Sequence, residues 1–227
     1  MRPWLPDILL FEDIEPHAAA LNMAVDEALL AVIPGPVLRV YRWARPAVSF
    51  GYFERWEPIR AAQPGRDAVR RWTGGGVVLH GEDFTYSLLI PRSGNAGAAA
   101  ALPAAGGAGS YGLIHRALCS ALADAGIAAR PASASTAKIS QACFENPVLH
   151  DVLVRGRKVA GAAQRRTRAG LIHQGSIQGL DLSPAFGAAF AARLACVVRP
   201  QAFDLTLAAE KLAVEKYATR AWLEKRM

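Results

Sequence analysis

Two periods of hydrophobicity organise this chain. From His17 to Ile33, Leu21, Val25, Ala28, Leu29 and Val32 recur at helical spacing, with Asp26 and Glu27 outside that face. Pro34-Gly35-Pro36 stops the run. Val37 to Trp43 then alternates every second residue, which predicts a strand. Short apolar runs predict further strands at Ile8 to Phe11, Ala47 to Phe50, Val69 to Arg71, Val77 to Leu79, Phe84 to Ile90 and Leu171 to Ile177. A hairpin is expected from Val148 to Val154 and Lys158 to Gly161, turning at Arg155-Gly156-Arg157. Helices are expected at Glu57 to Ala62, at Tyr111 to Ala125 with Gly126 as C-cap, and at Pro184 to Leu194 with proline at the start. Leu207 to Tyr217 and Thr219 to Lys225 read as a helical tail. Gly94 to Gly109, rich in Ala and Gly, reads as a loop or linker. Neighbouring, hairpin-linked strands flanked by helices give an α+β pattern rather than a βαβ series, in one domain over residues 1–227.

Composition narrows the class. Hydrophobic residues make up 52% and charged residues 20%, enough to bury a core. The net charge of +7 favours acidic partners. No nucleic-acid-binding motif is present, so no nucleic-acid partner is expected. Three cysteines without a C-x-x-C spacing argue against a disulfide framework and a structural zinc site. No apolar run reaches the ~18 residues of a membrane span, and the N-terminus has no signal-peptide core. A soluble, cytoplasmic protein without a membrane or metal partner is expected. Cys119 and Cys196 read as core residues in helices, and His17 and His115 as structural helix residues.

Two stretches carry candidate chemistry. The first is Arg70-Arg71-Trp72-Thr73-Gly74-Gly75-Gly76-Val77-Val78-Leu79-His80. Three glycines let backbone turn sharply or approach a ligand closely. Their N–H groups can form an anion-binding nest, and the two guanidinium groups can clamp a phosphate or carboxylate. The plain alternative is a tight hairpin with two solvated arginines. No Walker or dinucleotide fingerprint is present. The second stretch is Cys143-Phe144-Glu145-Asn146-Pro147 followed by Asp151 and by Lys158-Val159-Ala160-Gly161-Ala162-Ala163. A lysine beside small residues can hold a carbonyl and lower a thiol pKa, making a nucleophilic thiolate. A solvated hairpin lysine and a buried small cysteine are the structural alternatives. His80, His150 and His173 are candidate bases.

These pieces in this order resemble the lipoate–protein ligase and octanoyltransferase family, whose fold is shared with biotin–protein ligase. The matching residues are Arg70-Arg71-x-Thr73-Gly74-Gly75-Gly76-x-Val78-x-His80, Gly156-Arg157-Lys158-Val159-Ala160-Gly161-Ala162-Ala163-Gln164 and His173-Gln174-Gly175-Ser176-Ile177. Asn22-Met23-Ala24-x-Asp26-Glu27 and Leu212-Ala213-x-Glu215-Lys216-Tyr217 resemble its first and closing helices. The resemblance implies a mainly antiparallel sheet with flanking helices, and transfer of an octanoyl or lipoyl group to one lysine of a lipoyl domain. It implies that the glycine turn lines an acyl tunnel, with Val77 and Leu79 alongside. Arg71 would meet a phosphate or the carbonyl, and Lys158 would hold the acyl carbonyl. Ala160 and Gly161 would give the acyl chain access along the backbone, and Asp151 would orient the site.

Two chemistries are implied. A cysteine-dependent transferase of the Gram-positive type would take octanoyl from acyl carrier protein through a thioester on Cys143, with Lys158 and backbone N–H groups of the glycine turn stabilising the oxyanion and without a cofactor. An ATP- and Mg-dependent lipoate–protein ligase would pass through an acyl-adenylate. The absence of an extra C-terminal domain favours the transferase, although two-part ligases carry that domain separately. His150 stands before Asp151 where ligases often have Asn, and Gly94 to Gly109 matches none of the motifs that carry the resemblance. Implied acceptors are lipoyl-domain proteins such as the glycine cleavage H protein and the E2 subunits of 2-oxoacid dehydrogenases. A non-catalytic lipoyl- or biotinyl-binding module is the remaining alternative.

Overall fold

The computed structural model describes residues 2–92, 106–135 and 147–225. Along the chain the elements are β1 (Leu5–His17), α1 (Ala19–Val32), β2 (Val37–Trp43), β3 (Ala47–Phe50), α2 (Trp56–Ala62), β4 (Asp67–Arg70), β5 (Val77–His80), β6 (Phe84–Pro91), α3 (Gly106–Asp124), β7 (Ala129–Pro131), β8 (Val152–Val154), β9 (Arg157–Arg166), β10 (Gly170–Ile177), α4 (Phe186–Leu194), β11 (Ala195–Pro200) and α5 (Thr206–Leu212). A π-helical turn (Ala213–Tyr217) and α6 (Arg220–Leu223) follow. Eight strands form one mixed, mostly antiparallel sheet in the order β11-β1-β2-β6-β10-β9-β8-β7. A small sheet, β4-β3-β5, stands apart from it. The expected α+β class is the one observed.

Alternation along the central strands sorts side chains to two faces. Leu88 and Ile90 of β6 pack with Ile114, Leu118, Phe190 and Leu194 from α3 and α4. Leu89 between them packs on the other face with Leu29 and Leu30 of α1. The helices therefore sandwich the sheet, and Met23 of α1 and Gln174 of β10 set the cavity described below on the α1 side.

The hairpin picture fails at one end. β1 and β2 are parallel, joined by α1 as a crossover, and β11 adds in parallel to the other edge of β1. The chain thus opens with one βαβ unit before the antiparallel strands begin. Cys196 lies on β11 and is exposed, not in a helix or the core, whereas Cys119 is a buried helix residue. His17 ends β1, where its ring meets Asp13 at 3.0 Å. Most of Gly94 to Gly109 lies outside the described residues; its last four begin α3. The β8–β9 hairpin turns at Arg155 and Gly156, both with positive φ (50° and 79°), as a tight two-residue connection demands.

Asp26 was expected outside the apolar face of α1, yet it is fully buried, and Val32 is 62% exposed. The reason is Arg39 of β2, itself fully buried. Its guanidinium donates to Asp26 Oδ1 at 2.7 Å, to Asp13 Oδ2 at 2.6 Å and to the Asn22 side-chain and backbone oxygens at 2.8 and 2.9 Å. A buried charge persists only when it is paired and hydrogen-bonded in this way. Arg39→Met strands two buried carboxylates, so it should cost about 3–5 kcal/mol. Urea unfolding checks this; a loss under about 1 kcal/mol would refute it.

His115 of α3 is completely buried, and its Nδ1–H donates to the His150 carbonyl at 2.7 Å. Burial pushes its pKa down to about 4. The unfolded chain takes up this proton near pH 6.5, the folded chain only near 4, so stability rises with pH across that window. Acidification from pH 7 to 4 should cost about 3 kcal/mol through this ring alone. In His115→Asn, which can still donate to His150, unfolding free energies at pH 7 and 4 should differ by correspondingly less. An unchanged difference would rule the assignment out.

Candidate active site

The glycine run is not a hairpin turn. β4 and β5 lie on opposite edges of β3, parallel and antiparallel to it, so residues 71–76 cross over the end of β3. The crossing is close: a Cβ at Gly51 would stand 1.8 Å from the Gly75 carbonyl oxygen. Gly75 has φ +81°, a conformation open to glycine. Tyr52 N–H donates to Thr73 O, and Arg71 N–H to Phe50 O, both at 2.8 Å.

The two arginines separate where the chain leaves β4: Arg70 is its last residue and Arg71 opens the crossing. Arg71 is buried and lines a cavity; its guanidinium donates to the Gly74 and Gly76 carbonyls at 2.9 and 2.8 Å and to Ser49 Oγ at 2.8 Å. It braces the glycine loop from within. Arg70 does not join it. Arg70 donates to the carbonyls of Tyr52, Glu54, Trp222 and Leu223, tying the C-terminal helix to the small sheet. Both are buried, so neither the twin clamp nor the pair of solvated arginines describes them.

Between these elements lies a narrow, half-open cavity whose exposed surface is mostly apolar. Met23, Tyr41, Trp43, Val78, Ala162 and Ala163 supply its apolar wall, with backbone of Gly75, Gly161 and Gly175. Its polar wall residues bond mainly to one another. His80 Nδ1–H donates to Asp83 at 2.7 Å, and its Nε2 meets Ser49 Oγ at 2.7 Å. Asp83 also accepts from Ser176 Oγ, Thr85 Oγ and the Gly81 N–H at 2.7, 2.9 and 3.0 Å. His80 is the main group holding the Asp83 carboxyl down at about 2, against the upward pull of burial. Burial lowers the His80 pKa, so the ring stays neutral, stacked at 4.0 Å on Trp43. On the opposite wall Thr73 Oγ donates to Gln174 Oε1 at 2.8 Å, and Gln174 Nε2 donates to Asp26 at 2.8 Å.

Lys158 stands at one edge of this wall. Its Nζ lies 2.7 Å from Asp151 Oδ2, both side chains almost wholly buried. Asp151 is held by the Val148 N–H at 2.8 Å and by the Tyr111 hydroxyl at 2.5 Å. Tyr111 in turn accepts from the Ala162 N–H at 3.0 Å, and burial beside Asp151 raises its pKa well above normal, so it remains a donor. Gly161 seats the lysine: a Cβ there would stand 2.6 Å from Lys158 Cε. Gly161 therefore serves both the cavity wall and the cation.

The expected residues divide accordingly. Arg71, Gly75, Val78, His80 and Gly161 line the cavity, and Thr73, Gly74 and Gly76 brace its loop. Asp151 and Lys158 form the adjoining ion pair. Leu79 faces a separate groove, and Val77 packs in the small sheet with Phe50. Ala160 belongs to the main core rather than the cavity. His173, a candidate base, faces the opposite side of the sheet from its neighbour Gln174, stacked on Tyr86; burial beside His115 drives its pKa far down. His150 leaves the backbone at φ +73°. Cys143 lies outside the described residues. Met23, Trp43, Ser49, Asp83, Tyr111 and Gln174 were not singled out as site residues. Asp83, three residues after His80, was the one with a local signal.

Fold and cavity together define an α+β domain with a small-molecule pocket whose wall adjoins a buried lysine. Residues 18–189 match the lipoyl protein ligase A/B catalytic domain, and the chain belongs to that family. It is 37% identical over 187 residues to the octanoyltransferase LipM of Kyrpidia tusciae, covering 74% of this chain and 64% of that protein. It is 36% identical over 179 residues to that of Oceanobacillus iheyensis, covering 74% and 62%. The match thus spans a little under two thirds of these relatives. The fold is similar to that of a lipoate-protein ligase A bound with ATP (TM-score 0.71, 19% identity, 98% of this chain and 100% of that one). It is also similar to a bipartite lipoate protein ligase from Thermoplasma acidophilum (TM-score 0.69, 20% identity, 98% and 97%).

Gly161→Ala should force Lys158 off Asp151, since the added methyl overlaps the side chain. A crystal structure of the variant should show Nζ displaced by about 1 Å or more, the scale of the overlap to be relieved. An intact Lys158–Asp151 contact would contradict it.

Proposed function

We propose that this chain is an octanoyltransferase acting in protein lipoylation, moving an octanoyl group from acyl carrier protein to the acceptor lysine of a lipoyl domain through a thioester on Cys143. The observation that carries the reading is the cavity itself. Its exposed surface is mostly apolar, its polar side chains bond largely within the protein, and Gly161 joins it directly to the Lys158–Asp151 pair. Such a cavity suits a hydrocarbon tail with its carbonyl near Lys158. The similarity to curated octanoyltransferases supports the same activity. The role of Cys143 rests on the resemblance of its segment to cysteine-dependent members.

In the proposed reaction the Cys143 thiolate attacks the octanoyl thioester carbon. A new C–S bond forms, the bond to the carrier sulfur breaks, and the carrier leaves as a thiol after taking up a proton. The neutral amine of the acceptor lysine then attacks the acyl-enzyme. The C–N bond forms, Cys143 departs as thiolate, and the proton lost from nitrogen goes to solvent. Lys158 offsets the negative charge that develops on the carbonyl oxygen and favours the Cys143 thiolate. Asp151, held by Tyr111, positions that lysine. This route uses no cofactor. Acceptors would include the H protein of glycine cleavage and E2 subunits.

The test is the intact mass of an apo lipoyl domain incubated with this protein, either with octanoyl acyl carrier protein or with free octanoate, ATP and magnesium. Modification with the carrier alone is expected, and Cys143→Ser should lower it by roughly two orders of magnitude or more, as loss of a covalent nucleophile does. Modification only with ATP would replace the transferase by a ligase that activates acyl groups as adenylates. Full activity in Cys143→Ser would exclude the thioester.

A further inference from the structure

A second, open groove runs along the β8–β9 hairpin. Its described lining includes three cations, Arg155, Arg157 and Lys158, and no carboxylate. Arg155 and Arg157 are exposed and form no ion pair among the described residues, whereas Lys158 is buried at the inner end against Asp151. The positive-φ turn at Arg155 and Gly156 presents both guanidinium groups from a rigid hairpin rather than a long loop. Pro147 is on the groove wall, and the next residues, Val148 and Leu149, are 45% and 41% exposed. A cationic surface with apolar side chains beside it has the composition of a docking face for an acidic protein.

The adjoining groove, which shares Gln178, Gly179 and Leu180 with this one, has the opposite character: Glu82, Asp83 and Asp181 line it with Arg66. The charged side chains along the two grooves therefore differ in their prevailing sign.

We propose that the groove along the β8–β9 hairpin is the docking surface of the acidic carrier that delivers the acyl thioester, with Arg155 and Arg157 as its charge contacts. The inference rests on the transferase reading. The donor is assigned here, rather than the acceptor, because the thioester carbonyl has to reach Lys158 at the groove's inner end, and because the acceptor's reacting group is a lysine that the neighbouring acidic groove suits.

The experiment measures acyl-enzyme formation by intact mass, with octanoyl acyl carrier protein and with octanoyl pantetheine, a small thioester lacking the protein. Arg155→Glu/Arg157→Glu is compared with wild type and with Arg60→Glu/Lys211→Glu, which alters net charge equally at exposed helix positions elsewhere. At low salt the groove variant should lose tenfold or more of its acylation rate constant with the carrier and most of its salt dependence, while its rate with pantetheine and both rates of the control variant stay at wild-type values. Equal losses with both donors, an unchanged rate with the carrier, or an equal loss in the control variant would overturn the assignment. Wild-type protein that gains no acyl group from either donor would fail at the transferase reading itself, and the groove assignment with it.

Discussion

The fold and the site hang on one buried arginine. Arg39 enters on β2, where strand alternation sends it beneath α1, and there it gathers Asp13 from β1 and Asp26 and Asn22 from α1. Asp26 carries the connection onward. Its second oxygen accepts from Ser87 of β6 at 2.5 Å and from Gln174 of β10 at 2.8 Å, and Gln174 accepts from Thr73 beside the glycine loop. Four strands, one helix and the loop over β3 are thus set relative to one another by one connected set of hydrogen bonds, most of them charge-assisted. Such a cluster is costly to desolvate, and an apolar core of equal volume can be as stable. Its value lies in direction: each bond has one acceptable geometry, so it fixes where the cavity wall stands.

The same economy appears at the cavity. Asp83 accepts from a ring, two hydroxyls and a backbone N–H, and this leaves His80 neutral with its face against Trp43. Arg71 turns its charge inward onto the carbonyls of its own loop. Polar groups that satisfy one another in this way keep the pocket hospitable to a hydrocarbon chain despite the arginine, histidine and carboxylate around it. On the Lys158 side a similar chain runs from the Ala162 N–H through Tyr111 to Asp151 and the lysine. The wall that would hold the acyl tail and the cation that would meet its carbonyl are therefore joined by one chain of hydrogen bonds.

What the sequence made legible follows the range of the forces involved. Local periodicity found most of the helices and strands, because a helix face and an alternating strand are written within ten or fifteen residues. It missed the short β7, and β11, where Ala195-Cys196-Val197-Val198 continues an apolar helix and pairs with β1, nearly two hundred residues away. It put Asp26 in solvent because a carboxylate on a helix is usually exposed; the partner that reverses this is Arg39 on another element. The glycine run was visible, but its topology was not: adjacent strands suggest a hairpin, and only the insertion of β3 between β4 and β5 turns the run into a crossing.

The twin arginines carry the argument furthest. Read as a pair they make an anion clamp, and the resemblance to a family that handles phosphates strengthens that reading. On a strand running into a loop, however, consecutive side chains diverge. Arg70 goes to the C-terminal helix, where Trp222 Nε1 donates back to its carbonyl at 2.9 Å, and Arg71 goes to the cavity. One motif therefore serves two ends, closing the domain with one residue and shaping the pocket with the next. The consequence for specificity is physical. With Arg71 turned to the carbonyls of Gly74 and Gly76, the loop offers a braced wall rather than a waiting pair of cations; in the proposed transferase, discrimination among acyl groups would then fall to the length and shape of the cavity behind it. A site built that way separates chains by steric fit, where each methylene counts for about 1–3 kcal/mol, rather than by charge.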